Sequence, residues 1–448
     1  MSARQRTLTL VVMCVGMFLV LLDVTIVNVA LPSLRADLGA GVSQLQWIVD
    51  GYAIAIAALM LPCGDLGDRH GHKRVVLRGL AAFGAGSLFA GLAPGPAVLI
   101  AARVVQGCGA ALLLPGTLAV VSRAYERPAE RARAFGIWAA ISALALPAGV
   151  IVGGLLVQGP GWRWAFLINL PVIAVALPLA AVVVRETREP SVRAFDAPGT
   201  VLGATLLGTG TYALIERSWA AGALAVALLA AFLWAERRSA DPMLPIALFR
   251  RPAFAIAAAV AATMNLGSNG TLFVLTLFLQ DVQGRSPVGA GLVCLPAFAT
   301  LALVASPAGR AVGRRGPRGP MCIGLVCSAA GLALLVAGPS VLAFVLWGAG
   351  LGLITPAVVA ASMGAVQRER AGLASAVNNT ARQVGNAIGI AAAGSVAGSP
   401  ASPGFVGGFH AVALAACGLY LVAAVVAFVG LRAWSLCPSV PPRAAARH

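Results

Sequence analysis

Fourteen apolar stretches follow one another along this chain with short breaks, near 8–31, 45–63, 75–93, 96–121, 134–157, 164–184, 199–215, 218–235, 254–279, 288–308, 320–337, 340–363, 372–397 and 408–431. Each is close to the roughly 20 residues that cross about 30 Å of hydrocarbon as a helix. Backbone groups in lipid must be satisfied within the protein, which leaves helices or a closed barrel, and barrel strands alternate and are about half as long. An all-α polytopic membrane protein is therefore expected. The composition agrees, with 59% hydrophobic and 10% charged residues and a mean hydropathy of +0.90, a balance that a water-soluble domain does not carry.

Charge orients the spans. With the N-terminus inside, 26 of the 32 Lys and Arg residues fall in cytoplasmic loops. Arg35, Arg163, Arg217 and Arg285 fall on the other side, and Arg103 and Arg382 lie within spans. This bias predicts an even number of spans with both termini cytoplasmic. The net charge of +17 then calls for anionic lipid headgroups and no nucleic acid.

An internal repeat tests the count. GDLGDRHGHKR, from Gly64 to Arg74, reads as a glycine-hinged charged turn, and it returns as GRAVGRRGPR from Gly309 to Arg318. Pro62 matches Pro307, Gly64 matches Gly309, Arg69 matches Arg314 and Gly71 matches Gly316, each 245 residues on. At about 30 residues per span and loop, that offset is roughly eight spans. Two six-span halves would be separated by two extra spans at 199–235, with twelve spans as the alternative. The expected organisation is a six-helix bundle at 1–185, two inserted helices with their linker at 186–238, a second six-helix bundle at 239–432 and a basic tail at 433–448.

Ionisable residues within spans are costly and mark candidate functional sites. Asp23 lies in LLDVTIVNVALP, and Asp50 in QWIVDGY. Desolvation disfavours the charged form of a carboxyl, which suits a reversible proton carrier; Asp23 also reads as a helix-packing acid, and Asp50 as a solvated or capping one. Arg103 needs a partner, Asp23 first and Asp50 second, with Gln106 on nearly the same face. Asn265, Ser268, Asn269 and Thr276 recur at helical spacing, as do Ser375, Asn379, Arg382, Gln383 and Asn386. Such stripes turn away from lipid, and lining a substrate path or joining helices are equally open to them. The candidate path also takes in Asn28 of the first span and Gln106 of the fourth.

The eight cysteines lack ligand spacing and lie mostly in spans, so they read as small hydrophobes. No metal cluster, cofactor motif, nucleotide loop or nucleophile–base arrangement is present in the sequence, and an enzyme is not expected.

The chain resembles the major facilitator superfamily, and within it the fourteen-span drug–proton antiporters. The resemblance rests on LDVTIVNVALP (22–32), GDLGDRHGHKR (64–74), RVVQGCGAALLLP (103–115), WRWAFLINLP (162–171), FDAPG (195–199), PMLPIALFRRPAF (242–254) and AGLASAVNNTARQVGNAIG (371–389). WIVDGY (47–52) and TYALIE (211–216) are similar to exporters that confer resistance to a single antibiotic such as methylenomycin. The resemblance implies two six-helix bundles rocking about a central cavity in the plasma membrane. It implies proton-coupled export of a small amphipathic compound by Asp23, Asp50 and Arg103, and a monomer. Gly64, Asp68, Arg69, Gly71 and Arg74 would form a latch against the cytoplasmic start of the thirteenth helix; the second copy has Gly313 in place of Asp68. The family's fifth-helix motif ends in Gly-Pro followed by Gly-Gly. Here Gly149, Gly153 and Gly154 fit, Val150 stands at the proline position, and Pro147 lies three residues earlier. A proton-coupled importer of a metabolite and a non-transporting binding protein are the alternatives.

Overall fold

The computed structural model describes residues 2–125, 127–186, 196–239, 241–244, 246–366 and 371–431; the tail expected at 433–448 lies outside them. A helix covers each predicted stretch. They are α1 (Ala3–Leu38), α2 (Val42–His70), α3 (His72–Gly91), α4 (Pro96–Ala124) and α5 (Pro128–Gln158). The sixth, α6, runs Trp164–Val183 and breaks at Ile168, where Pro171 lacks the N–H that would bond Leu167. Then come α7 (Ala197–Ile215), α8 (Trp219–Arg238), α9 (Pro252–Leu277), α10 (Pro287–Arg315), α11 (Arg318–Ala337), α12 (Val341–Gly364), α13 (Ala371–Ala397) and α14 (Phe405–Gly430).

Among the described residues, 11 helices are long and apolar enough to cross a membrane. The three that fall short do so for visible reasons. Basic residues open α3 at His72, Lys73 and Arg74, threonine and glycine dilute α7, and α13 carries the polar stripe.

The charged repeat is less of a turn than its sequence indicates. Gly64–His70 continues α2, and the equivalent 309–315 continues α10. Charged residues beyond the hydrocarbon can stay helical, since water and headgroups solvate them while the backbone keeps its hydrogen bonds. The chain reverses only at Gly71 and Gly316, with φ of 97° and 79°. These matched residues hold a backbone conformation that side chains with a Cβ rarely adopt. Gly71→Ala is expected to destabilise the protein by about 1–3 kcal/mol, measured as a lower melting temperature in detergent. Gly64→Ala, where an added Cβ would meet open space, is expected to leave that temperature unchanged.

Packing repeats as the sequence does. α1 packs on α4, α5 and α6, α4 on α2 and α3, and α3 on α6. Eight helices later α9 packs on α12, α13 and α14, α12 on α10 and α11, and α11 on α14. The two groups meet chiefly through α2 with α13 and α5 with α10. The same eight-helix shift converts one of those pairs into the other. The hairpin α7–α8 touches both groups, through α2 and α13.

Candidate functional site

One polar cluster is buried among α1, α2, α3, α4 and α6. Asp23 and Arg103, both 1% exposed, form an ion pair between Oδ2 and Nη1. Arg103 Nη1 also donates to Gln106 Oε1 at 2.9 Å, and Nε donates to the Ile48 carbonyl at 3.0 Å. Gln106 Nε2 donates to Ser87 Oγ at 2.8 Å and to Asp23 Oδ1 at 3.3 Å. Asn169 Nδ2 donates to Ser87 Oγ at 3.2 Å. The guanidinium lies 4.2 Å from the centroid of the Tyr52 ring, and Tyr52 donates to the Val20 carbonyl at 3.1 Å. Nε and Nη1 of Arg103 are thus aimed at a carbonyl, a carboxylate and an amide oxygen, which offsets part of the cost of burying its charge.

Asp50 differs. It is 0% exposed, and neither carboxyl oxygen has a hydrogen-bond partner among the described residues. The solvated or capping role left open by its position near a span end does not hold, because α4 and α13 enclose this side of α2. One turn nearer the start of α2, Gln46 Nε2 donates to the carbonyls of Ile390 and Ala391 of α13 at 3.1 and 2.8 Å. Among the described residues, two buried carboxyls and one buried guanidinium therefore occupy the first six helices.

The two stripes separate once their partners are known. On α9, Asn265 donates to Ala261 O at 3.0 Å, Asn269 to Asn265 O at 3.2 Å and Thr276 to Leu272 O at 2.9 Å. Ser268 bonds the Tyr420 hydroxyl at 2.7 Å. That stripe spends its donors on its own helix and on α14. On α13, Asn379, Arg382 and Gln383 are half-buried, and no hydrogen bond or ion pair joins them to a described residue. The amide oxygens of Asn378 and Asn386 are buried without partners.

The fifth-helix glycines lie at close approaches. Gly149 and Gly153 pack on Leu22, Thr25 and Ile26 of α1, and Gly154 packs on Val288 of α10. Val150 packs on Gly291. Beside them Thr25, Asn28, Val150, Thr276, Gly291 and Cys294 line a cavity of about 10 Å³, room for about one water. Toward the C-terminal end of α1, Arg35 pairs with Asp281 at 3.0 Å and Gln280 donates to Val29 O at 3.0 Å. The tip of the α7–α8 hairpin spans the seam. Ser43 of α2 donates to Glu216 at 2.5 Å, Ser395 of α13 donates to Leu214 O at 2.6 Å, and Arg217 donates to Ser395 O. The two helix groups are therefore joined at the end bearing these loops.

At the opposite end Leu61 of α2 shares an apolar cluster with Ala374 and Val377 of α13. Arg74 pairs with Glu186 at 3.6 Å, and Nε and Nη2 of Arg69 are buried without partners. The side chain of Asp68, expected to carry the latch, lies outside the described residues.

This arrangement has known counterparts. The sequence family described as Major Facilitator Superfamily matches residues 13–390. The chain belongs to the Major Facilitator Superfamily. It is a multi-pass protein of the cell membrane and works by transport, not by enzymatic chemistry. It is similar to the multidrug resistance protein Stp of Mycobacterium tuberculosis, 39% identical over 88% of this chain and 76% of that one. It is also similar to the tetracenomycin C resistance and export protein of Streptomyces glaucescens, 34% identical over 86% and 75% of the two chains. The methylenomycin A resistance protein of Streptomyces coelicolor is 36% identical over 94% and 90%. Among solved folds, a bacterial homolog of the human lysosomal transporter Spinster superposes with a TM-score of 0.69 at 18% identity, covering 96% of this chain and 98% of that one.

Sequence reasoning missed Ser87 and Asn169 of the buried cluster. Ser87 is the one hydroxyl in a run of glycine, alanine, leucine and phenylalanine, and Asn169 is the amide of WRWAFLINLP. A lone polar residue in an apolar span was the available signal.

Proposed function

We propose that this superfamily member is a proton-coupled exporter of small amphipathic organic compounds, with fourteen spans and cytoplasmic termini. Helices α1–α6 and α9–α14 rock as two units about a central path, and α7–α8 is inserted between them. Export is supported by the relatives, which are named for resistance to, or export of, antibiotics and drugs. Proton coupling is carried by one observation: buried Asp23 is held by Arg103 while buried Asp50 has no partner. Two desolvated acids and one base are neutral together only when one acid carries a proton, and that proton is the one exchanged. Arg103 holds Asp23 and the Ile48 carbonyl of α2, so neutralising Asp23 frees a cation in a helix group that holds a second buried acid, Asp50. Gln106 tightens this pair, while Asn28, Asn265, Asn269, Asn379, Arg382 and Gln383 line the path. Gly149, Gly153 and Gly154 let α5 slide on α1 and α10, and Asp68 latches the inner ends where Leu61 meets α13.

The test uses energised everted vesicles with a pH-sensitive dye and a panel of antibiotics and dyes. Substrates are expected to release the stored protons with wild type and not with Asp23→Asn, which still inserts. Proton release that survives in Asp23→Asn removes Asp23 from the coupling. A substrate that accumulates only in right-side-out vesicles makes the chain an importer.

A further inference from the structure

Arg382 is a guanidinium in the middle of α13 with no hydrogen bond or ion pair to any described residue. It does not face lipid. From Leu373 to Ser395 every described residue of α13 is buried or half-buried, because α2, α7, α9, α12 and α14 all pack on this helix. A membrane-embedded cation turned into the protein needs a counter-charge, and its own half supplies none. From Ile246 to Leu431 the sequence holds two acids, Asp281 and Glu369. Asp281 sits at the outer end of the α9 segment, paired with Arg35 at 3.0 Å. Glu369 precedes α13 in the sequence and lies outside the described residues. The spans of α9–α14 contain no carboxylate at all.

The first half offers little more. Asp23 is committed to Arg103. Asp50 is set by helix register: Gln46 meets Ile390 and Ala391, and Leu61 meets Ala374 and Val377, so α2 and α13 run antiparallel. Asp50 therefore comes level with about residue 386, one helical turn or about 5–6 Å outward of Arg382. Asn379, one turn back on the same face, and Gln383, the next residue, are amides with donors and acceptors equally unused. One uncommitted guanidinium flanked by uncommitted amides matches a planar acid group, which accepts two parallel N–H bonds from arginine and further bonds from amides.

We infer that Arg382, with Asn379 and Gln383, binds an acidic group on the transported compound, a carboxylate, phenolate or enolate. The substrate class is that of amphipathic organic acids. This rests on the export reading above, whose direction is tested separately.

The experiment compares 2-naphthoate, its neutral methyl ester and 2-naphthylmethylamine, and then wider sets of acids with their esters. Binding is measured on the purified full-length protein by thermal stabilisation, and transport in everted and right-side-out vesicles. Wild type is expected to bind and move acids in preference to the matched esters and amines. Arg382→Gln is expected to raise the KM for acids by about tenfold or more, the loss that follows when a charge-assisted hydrogen bond goes unmade. The same variant is expected to raise the KM for the matched esters far less than for the acids, and Arg382→Lys recovers part of the loss by keeping the charge. Equal loss for all three compounds means that Arg382 serves Asp50 or packing, and it overturns the inference. So does a wild type that binds no acid, or that prefers amines. Acid-selective, Arg382-dependent uptake seen only in right-side-out vesicles leaves the inference standing and overturns export instead.

Discussion

Arg103→Ala is expected to abolish transport and to cost about 3–5 kcal/mol of stability, the penalty for leaving a buried carboxylate without its partner. In the folded protein Asp23 would keep one long bond, from Gln106 Nε2 at 3.3 Å. Gln106 Oε1 would lose its Arg103 donor, and the Ile48 carbonyl would lose the donor it has beyond its own helix. The double variant Asp23→Leu/Arg103→Met separates folding from mechanism. Replacing both members of a buried pair by apolar groups of similar volume is close to neutral. The melting temperature in detergent is therefore expected to return toward wild type while proton-linked transport stays absent. A double variant that still transports would reduce the pair to a packing device. An Arg103→Ala protein as stable as wild type would mean that the cluster is wetter than its 1% exposures indicate.

Gly291→Val is expected to arrest the carrier with its outer seam open. A Cβ at Gly291 would lie 2.9 Å from both Cγ1 and the carbonyl oxygen of Val150. Backbone cannot withdraw as the end of a flexible side chain can, so α5 and α10 must separate. Cys294 supplies a reporter already in place. It is 6% exposed and lines the small cavity beside Gly291. An impermeant maleimide applied from outside, read by peptide mass spectrometry, is expected to label Cys294 several-fold faster in the variant, and efflux is expected to fall below detection. Slow labelling together with normal efflux would show that α5 and α10 need not close here during the cycle. The prediction bears on Val150 as well, since this side chain occupies the space against Gly291 where the family motif has proline.

Much of the architecture was legible before any coordinates, and for a local reason. Span length and apolarity are properties of about 20 consecutive residues, and loop charge is counted within a few residues of span ends. Helices therefore lie on all fourteen predicted stretches. The pairing of Asp23 with Arg103 was legible as well, because a buried cation must find an anion and few are available. The ends of the helices were harder to read. The repeat at Gly64 looked like a turn because of its charges, yet only Gly71 leaves the helical conformation. Charge marks where the membrane stops, which is not where the helix stops.

Partner assignment was not legible, because it depends on which helices come together. Asp50 and Asp23 have similar sequence surroundings, each a single acid in an apolar run. Packing of α2 against α4 and α13 leaves one unpartnered, while α1 beside α4 brings the other to Arg103. The stripes of α9 and α13 both recur at helical intervals and are both rich in amides. One satisfies itself and the other does not, because Tyr420 reaches α9 and nothing described reaches Arg382. Patterning along the chain decides where helices form and which polar residues must turn inward, since each is a balance between one segment and its solvent. Whether an inward polar group is spent on structure or left for a proton or a substrate is decided by contacts between segments hundreds of residues apart, and those exist only in the folded molecule.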